Sequence, residues 1–193
     1  MAPVNVENIN NDKREAFKKK VEILENNLEY FPDFPKEGIL YSEMFKILRT
    51  PELFQILRDL LVETAKEFDP KPDVIIGIDS KGFLFGPLVA LELKIPFVPI
   101  RKRGKLPGKV KSASYVLEYG TDTMEMQEES IQKGQNALLV DDCLATGGTL
   151  ECASELVKAF QGNLIGCLVI TEKYELDGFR KLSCPVKSLM KVK

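Results

Sequence analysis

Apolar positions along the chain recur with two different periods. In residues 12–28, Phe17, Val21, Leu24 and Leu28 are spaced four, three and four apart, which lays them on one face of a helix. A second helix is predicted from Thr50-Pro51, with proline at the first helical position and Leu53, Leu57, Leu60, Leu61 and Phe68 as its apolar face. Between the two, "YFPDFPKEGILY" carries Pro32, Pro35 and Gly38 and reads as extended, turning chain. Residues 1–10 are polar and are expected to fray.

Beyond residue 70 the period changes. "DVIIGIDS", "IPFVPI", "NALLVDD" and "LIGCLVITE" are short, nearly continuous apolar runs, with "VKSLMKV" as a last strand. Strands covered on both faces read this way. "GFLFGPLVALELK" and "TLECASELVKAF" stand between runs as helices, the latter with Leu150, Ala153, Leu156, Val157 and Phe160 on one face. The alternation predicts an α/β fold, a central parallel sheet flanked by helices. Residues 1–193 are read as one domain, with residues 1–48 an N-terminal appendage to a core of residues 49–193.

Residues 101–131 break the alternation, being too long for a simple connection between strand and helix. Arg101, Lys102, Arg103, Lys105, Lys109 and Lys111 come first, among glycines and a proline; "SYVLEY" and "DTMEMQ" then alternate as strands do. A flexible cationic arm between two short strands fits a lid over an anionic ligand. A solvated charged loop is the other reading this pattern leaves open.

Composition narrows the chemistry. At 193 residues and 44% hydrophobic content the chain is long enough for one substantial core. A net charge of −2 argues against a nucleic-acid partner, which would call for a basic footprint. No apolar run approaches the ~20 residues that span a bilayer, and the first twenty residues lack an apolar signal core. A cytoplasmic location without a membrane partner is expected. Cys143, Cys152, Cys167 and Cys184 show no C-x-x-C spacing and are expected to be reduced, structural thiols. There is no histidine, which excludes Ser-His-Asp and Cys-His mechanisms and histidine metal sites. Carboxylates, lysines, arginines, backbone and a hard metal remain.

The segment with the strongest chemical signal is "LLVDDCLATGGTL", residues 138–150. Asp141 and Asp142 fall at the carboxyl end of a predicted parallel strand, where ligands bind in open α/β sheets. Ala145, Thr146, Gly147, Gly148 and Thr149 lead into the next helix, and their N–H groups together with the helix dipole make an anion pocket. The paired aspartates beside it call for hydroxyl groups or a cation, so a ribose 5-phosphate meets both demands. Paired aspartates after a strand also serve as a helix N-cap, and that reading stays open. Neither the G-x-x-x-x-G-K-[ST] nor the G-x-G-x-x-G phosphate motif occurs.

An apolar strand followed by Asp-Asp and Ala-Thr-Gly-Gly-Thr resembles the phosphoribosyl pyrophosphate (PRPP) motif of type I phosphoribosyltransferases. With "FPDFPKEGILY", "GIDSKGFLFGP", "IRKRGKLPG" and "ASYVLEYGTDTMEMQ" in the same order, residues 30–193 resemble the adenine phosphoribosyltransferases in particular. The resemblance implies the type I phosphoribosyltransferase fold with an N-terminal hood (residues 1–48), a PRPP-binding core and a flexible catalytic lid (residues 101–131). It implies purine salvage: adenine plus PRPP gives AMP and pyrophosphate, with Mg²⁺, in a cytoplasmic homodimer.

Residue roles follow from the same resemblance. Asp141 and Asp142 hold the ribose hydroxyls and help orient hydrated Mg²⁺, which PRPP and water hold for the most part. Ala145 to Thr149 cradle the 5′-phosphate. Asp79, Ser80 and Lys81 form the pyrophosphate loop, with a non-proline cis peptide at Asp79–Ser80. Arg101 and Lys105 are cationic PRPP contacts, and Ser114 and Tyr115 are the dipeptide that folds over the pyrophosphate. Glu118 is the carboxylate near the purine, with Tyr119 beside it and Arg101 also assigned to catalysis; its spacing alone favours the reading of Glu118 as an exposed strand carboxylate. Ile39, Leu40, Tyr41 and Ser42 meet the base. Lys81 stands where the family carries arginine, Ser42 where it carries a basic residue, and Cys143 where it carries leucine. Two alternatives remain: a catalytically weak paralogue that binds PRPP or AMP in a regulatory role, and transfer to another purine.

Overall fold

The computed structural model describes the backbone of residues 6–117 and 120–193 and the side chains of residues 11–114 and 122–193. The chain divides into two compact units, Met1–Leu60 and Leu61–Lys193.

The first unit begins with α1 (Val6–Glu25). Its helix starts within the stretch expected to fray, because "VENINN" contains neither proline nor glycine to stop it. Leu24 and Leu28 are buried and Phe17 and Val21 half-buried, as the four-three-four spacing requires. A hairpin follows, β1 (Glu29–Pro32) antiparallel to β2 (Leu40–Glu43), with Tyr41 opposite Phe31 and Ser42 opposite Tyr30. Asp33 closes its turn by accepting the Gly38 N–H at 2.8 Å. One short helix, α2 (Phe45–Arg49), was not predicted. It is nucleated locally: one Glu43 carboxylate oxygen accepts the N–H groups of Met44 at 2.7 Å and Phe45 at 3.1 Å. The proline-led helix is therefore the third, α3 (Pro51–Ala65), with Leu57, Leu60 and Leu61 fully buried.

The second unit is built on a mixed sheet. Its strands are β3 (Val74–Ile78), β4 (Phe97–Lys102), β5 (Val110–Leu117), β6 (Gly120–Gln127), β7 (Asn136–Leu144), β8 (Asn163–Lys173) and β9 (Val186–Val192). Their order across the sheet is β5-β6-β4-β3-β7-β8-β9. The pairs β3–β4, β3–β7, β7–β8 and β8–β9 are parallel, as the apolar runs predict. The residue 101–131 region departs from a simple connection: β5 and β6 form an antiparallel hairpin that extends the same sheet through β6–β4 pairing. All five residues of β3 are buried, and at roughly 1.5–3 kcal/mol for each large apolar side chain this strand anchors the unit. Helices α4 (Gly82–Leu93) and α5 (Gly148–Ala159) join β3 to β4 and β7 to β8.

This order creates a switch point. From β3 the chain moves to β4 on one side, whereas β7 lies on the other, so the loops after β3 and β7 diverge and leave a crevice at the carboxyl ends.

Candidate active site

The crevice is lined by alternating carboxylates and cations. After β3, the Asp79 N–H continues the ladder to the Ile100 carbonyl at 2.9 Å. The Asp79–Ser80 peptide is cis, as the family resemblance implies. Lys81 N-caps α4 and sends Nζ across to Asp142 Oδ2 at 2.9 Å, both side chains being more than three-quarters covered. At the end of β4, Arg101 Nε donates to Asp79 Oδ2 at 3.2 Å, and its Nη1 donates to the Lys105 carbonyl at 3.1 Å. Thus Asp79, Lys81, Arg101, Lys105 and Asp142 are joined in one neighbourhood, although up to 61 residues separate direct partners.

Asp141 is the buried member of the aspartate pair, 7% exposed. Its Oδ1 accepts the Asp142 N–H at 2.9 Å. Burial first, and then the charge of Asp142, hold its carboxyl well above the usual range. A group that disfavours its own charge in this way is suited to gain from a ligand that brings donors or a cation. The Asp142 carbonyl accepts Thr171 Oγ1 at 3.1 Å, so β8 steadies the end of β7. Cys143, between the aspartates and the loop, is half-buried, and burial pushes its thiol up. That suits packing and not nucleophilic attack.

Residues 145–149 turn from β7 into α5. Gly147 N-caps the helix at φ +84 and makes no side-chain capping bond, which settles the N-cap reading of the aspartates against them. The first-turn N–H groups are left facing the crevice end. A Cβ on Gly147 would strike the Gly178 carbonyl, and a Cβ on Gly178 would strike the Ala145 carbonyl and the Gly147 nitrogen. The loop is therefore shaped by backbone lying on backbone. Gly178 opens the second of two 3-10 turns after β8, Tyr174–Leu176 and Gly178–Lys181.

The cationic arm is attached along β6. The Arg103 N–H donates to the Thr123 carbonyl at 3.0 Å, the Gly104 N–H to Glu125 Oε2 at 2.9 Å, Gln127 Nε2 to the Pro107 carbonyl at 3.0 Å, and the Glu128 N–H to the Lys109 carbonyl at 2.9 Å. Glu125 is 6% exposed and also accepts Ser112 Oγ at 3.4 Å. Farther along, Ser114 Oγ lies 2.9 Å from Thr123 Oγ1, and the Tyr115 backbone pairs with Asp122. Glu118 and Tyr119 lie outside the described residues. Of the base-contact candidates, Ile39 precedes β2 and Leu40, Tyr41 and Ser42 lie in it, within the first unit; the Tyr41 ring meets Phe34 edge-on at 5.1 Å.

Three supports escaped the sequence reading. Glu125 had a signal, an acid between Met124 and Met126, both buried. Gly178 follows Asp177 in "LDGFR", which reads as an ordinary turn. Thr171 in "VITEK" carries no signal at all. Among the described residues no group of three or more His, Cys, Asp or Glu is placed to hold a metal.

The phosphoribosyl transferase domain family matches residues 45–186. The chain is 48% identical over 172 residues to the adenine phosphoribosyltransferase of Drosophila pseudoobscura, covering 89% of this chain and 95% of that protein. Among solved structures, the adenine phosphoribosyltransferase of Saccharomyces cerevisiae superposes with a TM-score of 0.84 at 43% identity, covering 89% of this chain and 99% of that one. That protein was crystallised with D-2,5-dideoxy-2,5-imino-altritol 1,6-bisphosphate and adenine. The Thermoanaerobacter pseudethanolicus enzyme of the same name gives 0.85 at 36% identity, with 89% and 99% covered.

Proposed function

The chain belongs to the adenine phosphoribosyltransferase family, and we propose on that basis how its residues divide the reaction. The protein is a transferase of purine salvage: the 5-phosphoribosyl group passes from PRPP to adenine, yielding AMP and pyrophosphate. The observation that carries the assignment of roles is the crevice after β3 and β7, where Asp141, Asp142 and the 145–149 turn lie beside Lys81.

The ribose 5-phosphate sits on the N–H groups of Ala145 to Thr149, with Thr146 and Thr149 adding hydroxyl donors. Asp141 and Asp142 accept the ribose 2′ and 3′ hydroxyls. Ser80 and Lys81 after the cis peptide, with Arg101 and Lys105, receive the pyrophosphate, and Ser114 and Tyr115 fold over it. As the C1′–O bond breaks, charge grows on the leaving pyrophosphate, and cations fixed beside it stabilise that change. Backbone groups of Ile39, Leu40 and Tyr41, with Ser42 adjoining, read the base. Adenine and 6-oxopurines reverse the donor–acceptor pattern at N1 and C6, so such readout favours adenine. Glu118, beside Tyr119, assists proton movement on the base, a contribution of ~10²–10⁴-fold.

Mg²⁺ suits this donor set. Adjacent carboxylates with no third acidic partner among the described residues leave room for the waters and substrate oxygens this ion retains. When bound, the ion would neutralise charge on the pyrophosphate. We assign residues 1–48 as hood and residues 49–193 as PRPP-binding core, with 101–131 the lid. A homodimer is supported by α4, whose Leu84 and Leu91 are exposed at 42% and 76% on a helix with a single charged residue, Glu92. A cytoplasmic location agrees with four free thiols.

The test is AMP formation from labelled adenine, PRPP and Mg²⁺, repeated with hypoxanthine and with Glu118→Ala. Turnover confined to adenine, falling ~10²-fold in the variant, is the expected result. A chain that binds PRPP yet turns over no purine would overturn the reading and leave a binding paralogue.

A further inference from the structure

The reaction uses none of the four cysteines, yet two of them lie together. Cys167 is in the middle of β8 and fully buried; Cys184 precedes β9 and is half-buried. Their Sγ atoms are 3.7 Å apart across 17 residues of chain. Backbone pairing holds them there: Cys167 is the register partner of Val186, and its N–H donates to the Pro185 carbonyl at 2.9 Å. The other two thiols have different partners, Cys143 the Thr171 side chain and Cys152 the Ala113 carbonyl.

We propose that Cys167 and Cys184 form an oxidation site, at which a peroxide converts the thiol pair to an intramolecular disulfide. Closing from 3.7 Å to an S–S bond of about 2.0 Å asks for a sulfur shift of under roughly 2 Å, within reach of a χ1 rotation at half-buried Cys184. Cys184 is the attacking sulfur, because it is the less buried of the two. The Cys167 thiol beside it and the Lys158 charge favour its thiolate, whereas the Cys167 thiol is held well above its usual range by Cys184 and by burial.

In the first step the Cys184 thiolate attacks one peroxide oxygen. The O–O bond breaks, hydroxide leaves and takes a proton to become water, and Cys184 becomes a sulfenic acid. In the second, Cys167 loses its proton and its sulfur attacks the Cys184 sulfur. The S–O bond breaks, and the departing hydroxide takes a proton as a second water. Two thiols lose two electrons, and one hydrogen peroxide becomes two waters. The closed segment carries both Thr171 and Gly178, the supports of Asp142 and of the 145–149 turn, so the bond stiffens the platform beneath the phosphate loop.

Full-length protein treated with equimolar hydrogen peroxide and digested without reduction tests this by mass spectrometry. The expected result is loss of two hydrogens and a peptide pair joined through Cys167 and Cys184, reversed by dithiothreitol. Cys152→Ser should oxidise identically and Cys184→Ser should not lose the two hydrogens. In untreated protein, iodoacetamide should label Cys184 before the other three. A link to Cys143 or Cys152, oxidation that stops at sulfinic acid on Cys184, or labelling that begins elsewhere would overturn the proposal.

Discussion

The loops after β7 and β4 leave strands on either side of β3, and they are held by opposite means. The 145–149 turn is fixed by contact between Gly147, Ala145 and Gly178, where no side chain fits. The 103–109 arm is fixed by side-chain and backbone hydrogen bonds spread along β6, the Glu125 carboxylate holding Gly104 next to the Arg103–Thr123 bond at its start. A steric fit fails abruptly when an atom is added, whereas a row of hydrogen bonds weakens one bond at a time. The phosphate end of the site is thus set once by folding, and the cationic end is adjustable.

The largest expected effect follows from the steric half. Gly178→Ala should lower kcat/KM for PRPP by ~10²-fold, since about 1 Å of misplacement has consequences of that order. Gly147→Ala in the same chain should add much less than its own single effect, because both changes move one loop. Steady-state rates with PRPP varied give both numbers. Full additivity would mean that the two glycines act on the site separately and that the turn is not held by their mutual contact.

Next comes the hydrogen-bonded half. Glu125→Ala removes a charged acceptor, a loss of about 1.5–3 kcal/mol where such a bond is fully covered, and should reduce kcat/KM about twentyfold. Glu125→Gln keeps an acceptor for the Gly104 N–H and should recover most of the rate. Lys81→Met should raise the KM for PRPP about tenfold by leaving Asp142 without its 2.9 Å partner, and Lys81→Arg should stay within about twofold of the parent, with charge kept.

The smallest shift is one of stability. The native carboxyl of Asp141 sits above its unfolded value. Its contribution is therefore fully present below the ordinary carboxylate range and is lost as pH rises through the raised native value. Asp141→Asn has no such loss. In metal-free protein the Tm of the variant should gain on that of the parent as pH rises from about 4 toward neutrality, by a few degrees, while PRPP turnover falls. A constant Tm difference across that range would contradict the assigned cause.

The difference between the two loops also explains what could be read in advance. Parallel strands announce themselves by apolar runs, and the Asp-Asp and Thr-Gly-Gly-Thr signature sits in consecutive residues, so β3, β7, α5 and the phosphate turn were legible. Helix α2 was not, because the carboxylate that takes the N–H groups at its start belongs to Glu43, a residue that also ends a strand. The sheet-edge pairing of β6 with β4 was not, because antiparallel extension of a parallel sheet leaves no period of its own. Thr171 and Gly178 act on residues 29 and more than 30 positions away, and no local pattern encodes such a contact.

The most direct test of two independently held loops is product inhibition of the two variants by AMP and by pyrophosphate. Gly178→Ala should raise the inhibition constant of AMP about tenfold or more and leave that of pyrophosphate within about threefold, and Glu125→Ala should do the reverse. Equal changes for both products in either variant would mean that the loops form one unit, and the account would fail.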